Sequence, residues 1–138
     1  MAIDFDELES ILENENNTIL NKTYKNIKSE KNNILQQLNL NKDRLTEYTN
    51  KLKDYRYIDE ISDIVYGNFC RWINLTNNDI KLEQGGFISD INISNNGPLL
   101  TIKIFNRYIT INANNILLFQ KINNQERILL KVMKYIEK

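Results

Sequence analysis

Residues 68–119 decide the fold: NFCRWINL (68–75), TNNDIKLEQGG (76–86), FISDINI (87–93), SNNG (94–97), PLLTIKIF (98–105), NRYITI (106–111), NAN (112–114) and NILLF (115–119). Short apolar or alternating runs are separated there by turn residues, which is the pattern of a small antiparallel β-structure with about five strands. Asn95-Asn96-Gly97 is a strong hairpin signal, because the left-handed backbone of a tight turn is cheapest for Asn and Gly. Asn106-Arg107 reads as a second tight turn, and Asn112 to Asn115 as one turn of tight helix. Gly85-Gly86 reads as a sharp bend or bulge. In the first strand Phe69, Arg71 and Ile73 share one face, and Cys70, Trp72 and Asn74 the other.

The flanking segments read as helix. Asn123 followed by Glu126 has the spacing of a reciprocal cap, and Ile128, Leu129, Val132, Met133 and Ile136 then mark one face of a terminal helix. Residues 55–67, YRYIDEISDIVYG, place Tyr57, Ile61, Ile64 and Val65 at helical spacing, with Gly67 as a C-terminal left-handed residue. A helix is therefore expected there, covering one end of the sheet. Residues 18–54 contain neither Gly nor Pro. Leu20, Ile27 and Ile34 recur by sevens, and Leu38, Leu45 and Leu52 recur by sevens again after a four-residue step, as in a coiled coil with a stutter. Thr23 and Lys31 weaken that seam, and Asn39 to Asn41 is equally a turn between two helices. Asp4 with Glu7 forms a capping pattern for a short helix near 4–15.

The expected architecture is α+β: a helical, coiled-coil-like arm over 1–54, then a domain over 55–138 built on a five-stranded SH3-like or Sm-like antiparallel β-barrel closed by a C-terminal helix. The arm's stripe (Leu20, Ile27, Ile34, Leu38, Leu45 and Leu52) is the candidate assembly surface, for a second copy or another protein.

Composition narrows the function more by exclusion than by assignment. The 138 residues carry 18 basic and 18 acidic side chains, so the net charge is zero and the overall basic field of many nucleic-acid binders is absent. The charge is uneven: residues 1–15 are acidic throughout and the following arm is basic on balance. There is no histidine, the commonest general base and zinc ligand. Phosphate-binding glycine loops and nucleophile–histidine pairs are missing as well. The single cysteine, Cys70, forms no intramolecular disulfide. No catalytic residue, metal site or cofactor is expected, and the chain reads as a non-enzymatic protein. No run reaches membrane-spanning length and the N-terminus lacks a signal peptide's pattern, so a soluble intracellular protein is expected.

The densest stretch, YRYIDEISDIVYGNFCRWINL (55–75), interleaves aromatic and basic residues. Tyr55, Arg56, Tyr57, Arg71 and Trp72 are the binding candidates, either for a protein partner or as a stacking platform for RNA or single-stranded DNA. The alternative is that the aromatics pack the core and Arg71 pairs with a carboxylate such as Asp59, Asp63 or Asp90.

This stretch, with GGF at 85–87 and ILLFQKINNQERIL at 116–129, resembles small uncharacterised proteins of giant, mimivirus-like DNA viruses. The resemblance covers about residues 55–131 and leaves the arm outside. It brings no activity, and Asn124 stands where that pattern has Ser or Thr nearby. It implies a viral factory or virion setting, in keeping with the heavy use of Asn, Ile and Lys, whose codons are AT-rich. Together these readings point to a viral adaptor or structural protein whose arm assembles and whose β-domain presents a binding surface. An RNA- or single-stranded-DNA-binding barrel is the alternative.

Overall fold

The computed structural model describes residues 24–136. The expected helix at 4–15 and Leu20 lie outside them. Two helices come first, α1 (Tyr24–Gln36) and α2 (Lys42–Lys51). Six strands follow: β1 (Tyr55–Ile58), β2 (Phe69–Asn74), β3 (Gly86–Ser94), β4 (Gly97–Ile104), β5 (Arg107–Asn112) and β6 (Ile116–Lys121). Helix α3 (Asn124–Ile136) ends the described chain, and 3-10 turns stand at Ile61–Asp63 and Ala113–Asn115. The fold is α+β. Its strands form an open antiparallel sheet in the order β1-β6-β2-β3-β4-β5, in place of the five strands expected.

The extra strand comes from the segment expected to be a helix. Tyr55-Arg56-Tyr57-Ile58 pairs along β6, and only one 3-10 turn remains of the helical spacing that follows. The alternation of YRYI suits two different environments. Tyr55 and Tyr57 join the apolar cluster beneath α1 and α2, while Ile58 joins the opposite cluster. Gly67 does have a left-handed backbone (φ 81°), but it precedes β2 without closing a helix.

The hairpins follow turn chemistry closely. Ser94 pairs with Gly97 around Asn95-Asn96, and Gly97 takes φ 115°. Ile104 pairs with Arg107, so the second turn is Phe105-Asn106, one residue earlier than expected. Phe105 has φ 55° at a position that usually takes Gly, and its side chain is 91% exposed. Gly86 fits its close approach to β4: a Cβ there would press on the Lys103 carbonyl and the Ile102 side chain.

The sheet carries a buried cluster on each face. On one, Cys70, Trp72, Ile88, Leu100, Ile102 and Leu118 form a core with Ile58 and Ile64. On the other, Ile73, Leu82, Leu117 and Phe119 pack with Tyr55, Leu35, Tyr48 and Leu52. Strand β6 serves both cores, which explains its unbroken apolar run. A third cluster joins Ile27 of α1 to Ile122, Leu129 and Leu130.

The arm is a pair of helices joined through Asn39, which takes φ 55°, and not one long helix. The four-residue step in the heptads coincides with this turn. Asn41 caps α2 by accepting a hydrogen bond from the Arg44 amide (2.8 Å). The buried face of α1 is Ile27, Lys31 and Leu35. Lys31, a polar flaw in a coiled-coil seam, has another use here. Its Nζ donates to the carbonyls of Leu52 (2.7 Å) and Lys53 (3.2 Å), just past the C-terminus of α2, whose negative end favours a cation. Burial lowers the pKa of this amine, and the nearby Asp54 opposes the shift. Of the proposed assembly stripe, Ile27 and Leu52 are buried, and Ile34, Leu38 and Leu45 pack partly against the helix-covered face.

Burial beside Gly86 pushes the Cys70 thiol up to about 12. The thiolate is the reactive form, so the native chain is expected to resist iodoacetamide at pH 8 and to react fully in urea. Rapid labelling of the folded protein would contradict this placement.

Candidate binding surface

The five predicted binding residues divide between the two faces of the sheet. Arg56 is 1% exposed. Its Nε donates to Glu126 Oε2 (2.9 Å) and its Nη2 to the Asp63 carbonyl (2.8 Å). Trp72 is buried in the first core. These two are therefore structural. Tyr55, Tyr57 and Arg71 stand on the other face. Tyr57 packs on Phe119 with ring centroids 5.6 Å apart. Arg71 is half-buried and opposite Phe119, and its Nε donates to the Glu83 carbonyl (2.9 Å), not to Asp59, Asp63 or Asp90. Desolvation raises the phenol pKa of both Tyr55 and Tyr57, which keeps them neutral hydrogen-bonding groups.

Glu126 does two things at once. Its Oε1 accepts from the Asn123 amide (3.1 Å), while its own amide donates to Asn123 Oδ1 (2.8 Å), the expected reciprocal cap. Its Oε2 takes the buried guanidinium of Arg56. Beside this pair, Gln120 accepts from the Val65 amide (2.9 Å) and donates to the Val65 carbonyl (2.7 Å). The polar network thus ties α3 and the 59–68 connection to the sheet. The Arg56, Glu126 and Gln120 side chains are all hydrogen-bonded within the chain, as a scaffold requires.

The sheet's second face offers something different where α1 and α2 do not cover it. Tyr55 of β1 is opposite Lys121 of β6. Cys70 of β2 faces Gln120, so Phe69 stands opposite Lys121 one step along the same register. Phe69 is opposite Phe87, Phe87 opposite Lys103, and Lys103 opposite Tyr108. Directly opposed residues project to the same side. All six strands therefore contribute to one row, Tyr55, Lys121, Phe69, Phe87, Lys103 and Tyr108. At about 4.8 Å between strands the row spans about 24 Å. Phe69 and Phe87 meet edge to face at 5.2 Å, and Lys103 Nζ lies 6.0 Å from the centre of the Tyr108 ring. Phe87 is 50% exposed and Tyr108 62%, and both lysines face solvent.

An open groove of about 740 Å³ runs along the first half of the row, between Tyr55, Phe69, Phe87, Lys121 and Arg127. Asn68 also lines it, and the amide nitrogen of this residue is buried without a hydrogen-bond partner. Arg127 lies 3.4 Å from Asp54. Sequence reading missed Phe87, Lys103 and Tyr108 because each looks like the ordinary solvent-side residue of an alternating strand. Only the registers bring them together.

No protein-family model, curated protein or solved structure matches the chain. Among the described residues no group of three or more His, Cys, Asp or Glu side chains is placed to hold a metal ion, and no helix is long and apolar enough to cross a membrane.

Proposed function

We propose that the protein is a non-enzymatic adaptor or structural component that acts by binding, and that the six-strand aromatic–lysine row is its binding surface. The observation that carries this reading is the exposure of Phe87, Tyr108, Lys103 and Lys121 in one register line, on a face that α1 and α2 cover only in part. Scattered exposed apolar residues need no explanation, whereas an ordered line of them does. Binding is placed on the sheet and not on the arm because the described part of the arm's apolar stripe is already engaged within the chain. The order β6-β2-β3-β4-β5, with a 3-10 turn between the last two in sequence, supports an SH3-like barrel in which β1 is an added edge strand. The resemblance to proteins of giant DNA viruses suggests a viral factory or virion as the setting.

Photo-crosslinking tests the reading. A photoreactive amino acid placed at Phe87, in cells where the protein normally acts, is expected to give discrete adducts. The same group at Tyr135, exposed near the end of α3 and not a member of the row, is expected to give none. Equal labelling at both positions, or none at Phe87, would remove the row as the binding surface.

A further inference from the structure

We infer that the row takes single-stranded nucleic acid, laid across the strands with bases on the rings and phosphates at the lysines. This rests on the reading of the row as the binding surface and names its ligand class. The first support is composition. Three rings that are not buried (Phe69, Phe87 and Tyr108) and two exposed ammonium groups share one line with the buried Tyr55, and no carboxylate belongs to it. Stacking on rings combined with cations that follow a backbone is the physical basis of sequence-tolerant single-strand binding.

The second support is layout. Phe69 and Phe87 form a paired centre, with a lysine on each side and a tyrosine beyond each lysine. Tyr55 is buried at the β1 end, so a ligand crossing the open part of the sheet meets cation, ring pair, cation and ring in turn. A nucleotide strand repeats planar apolar and anionic groups in the same way. The third is the surroundings. Arg71 stands in the adjacent row on the same face, and Arg127 at the groove margin. Two carboxylates are close: Asp54, which pairs with Arg127, and Asp90, in the row that also holds Thr101 and Thr110. The local balance is positive on a chain of zero net charge. A duplex is the poorer fit, because its bases are already stacked on one another and are not free to lie on the rings.

Fluorescence anisotropy of the full chain with labelled single-stranded 12-mers, of oligothymidine and of mixed sequence, tests this at 50 and 200 mM salt. Binding is expected for the single strands and to be much weaker for the blunt duplex of the same sequence. Phe87→Ala and Tyr108→Ala are each expected to weaken it by about 5- to 150-fold, the range found for loss of a stacked base. Lys103→Gln is expected to weaken it and to reduce the slope of log K against log salt by about 0.7. All three side chains are exposed, so circular dichroism is expected to report unchanged folding. No binding at 50 mM salt, or binding indifferent to these three changes, overturns the inference. The adduct at Phe87 separates the two levels. An adduct that resists nuclease and yields to protease keeps the row as a binding surface and rejects nucleic acid as its ligand. Absence of any adduct rejects both.

Discussion

Replacing Arg56 with alanine is expected to cost about 3–5 kcal/mol of folding stability, read from urea denaturation at neutral pH. The loss does not measure the worth of the ion pair. It arises because Glu126, itself 1% exposed, would keep its charge without the guanidinium 2.9 Å away. The Asp63 carbonyl loses a donor in the same step. Glu126→Gln is expected to be damaging for the complementary reason, leaving Arg56 buried and unmatched, although a glutamine still suits the cap at Asn123. The decisive measurement is the double change Arg56→Met with Glu126→Gln. Removing both charges is expected to cost clearly less than the sum of the single changes, because neither partner is then stranded. Simple additivity would mean that water reaches the pair and that the network does not hold α3 to the sheet.

What the sequence disclosed about this molecule follows the distance over which each feature is decided. The Asn95-Asn96-Gly97 hairpin, the tight turn after Asn112 and the cap formed by Asn123 and Glu126 are set by residues within a few positions of each other, and each forms as read. Tyr55 to Ile58 is different. Its neighbours offer helical spacing, but its state is decided by β6 and by Glu126, the latter 70 residues away. Tertiary partners override a local preference of that size easily. The same holds for Arg56, whose place between two tyrosines in the sequence suggested a contact residue. Its alternation with Tyr55 and Tyr57 turns it to the opposite face. The heptads of the arm were legible as an apolar stripe but not as to what they pack against. Lys31 was the useful clue, since a buried position that takes lysine needs carbonyl acceptors, and the end of α2 supplies them. The row from Tyr55 to Tyr108 could not be read without registers, because its members come from six separate segments.

Removing residues 1–53 is expected to abolish cooperative folding, the largest effect anticipated for this chain. If the arm were only an assembly device, the remainder would stay a folded domain. The packing argues otherwise. Leu35, Tyr48 and Leu52 share one buried cluster with Ile73, Leu82, Leu117 and Phe119, so truncation would expose that face of β2 and β6 to water. Tyr48 also holds the 75–85 connection, donating from its hydroxyl to the Ile80 carbonyl (3.0 Å) and accepting from the Leu82 amide (3.3 Å). On the outer side Arg44 reaches Asp79 at 2.8 Å, and this hydrogen bond lowers the carboxyl's pKa, although so exposed a pair adds little stability. A truncated chain with an uncovered apolar sheet face would aggregate, which by itself is ambiguous. Single changes give the graded version. Leu35→Ala and Leu52→Ala are each expected to cost about 2–5 kcal/mol, since both side chains are fully buried and their removal leaves cavities between helix and sheet. Leu45→Ala, at a half-buried position of the same stripe, is expected to cost less. Equal and small losses at all three would return the stripe to a role outside the monomer. A steep order following burial would establish the two helices as a layer of the folding unit, and would explain why a stripe spaced like a coiled coil has no need of a second copy.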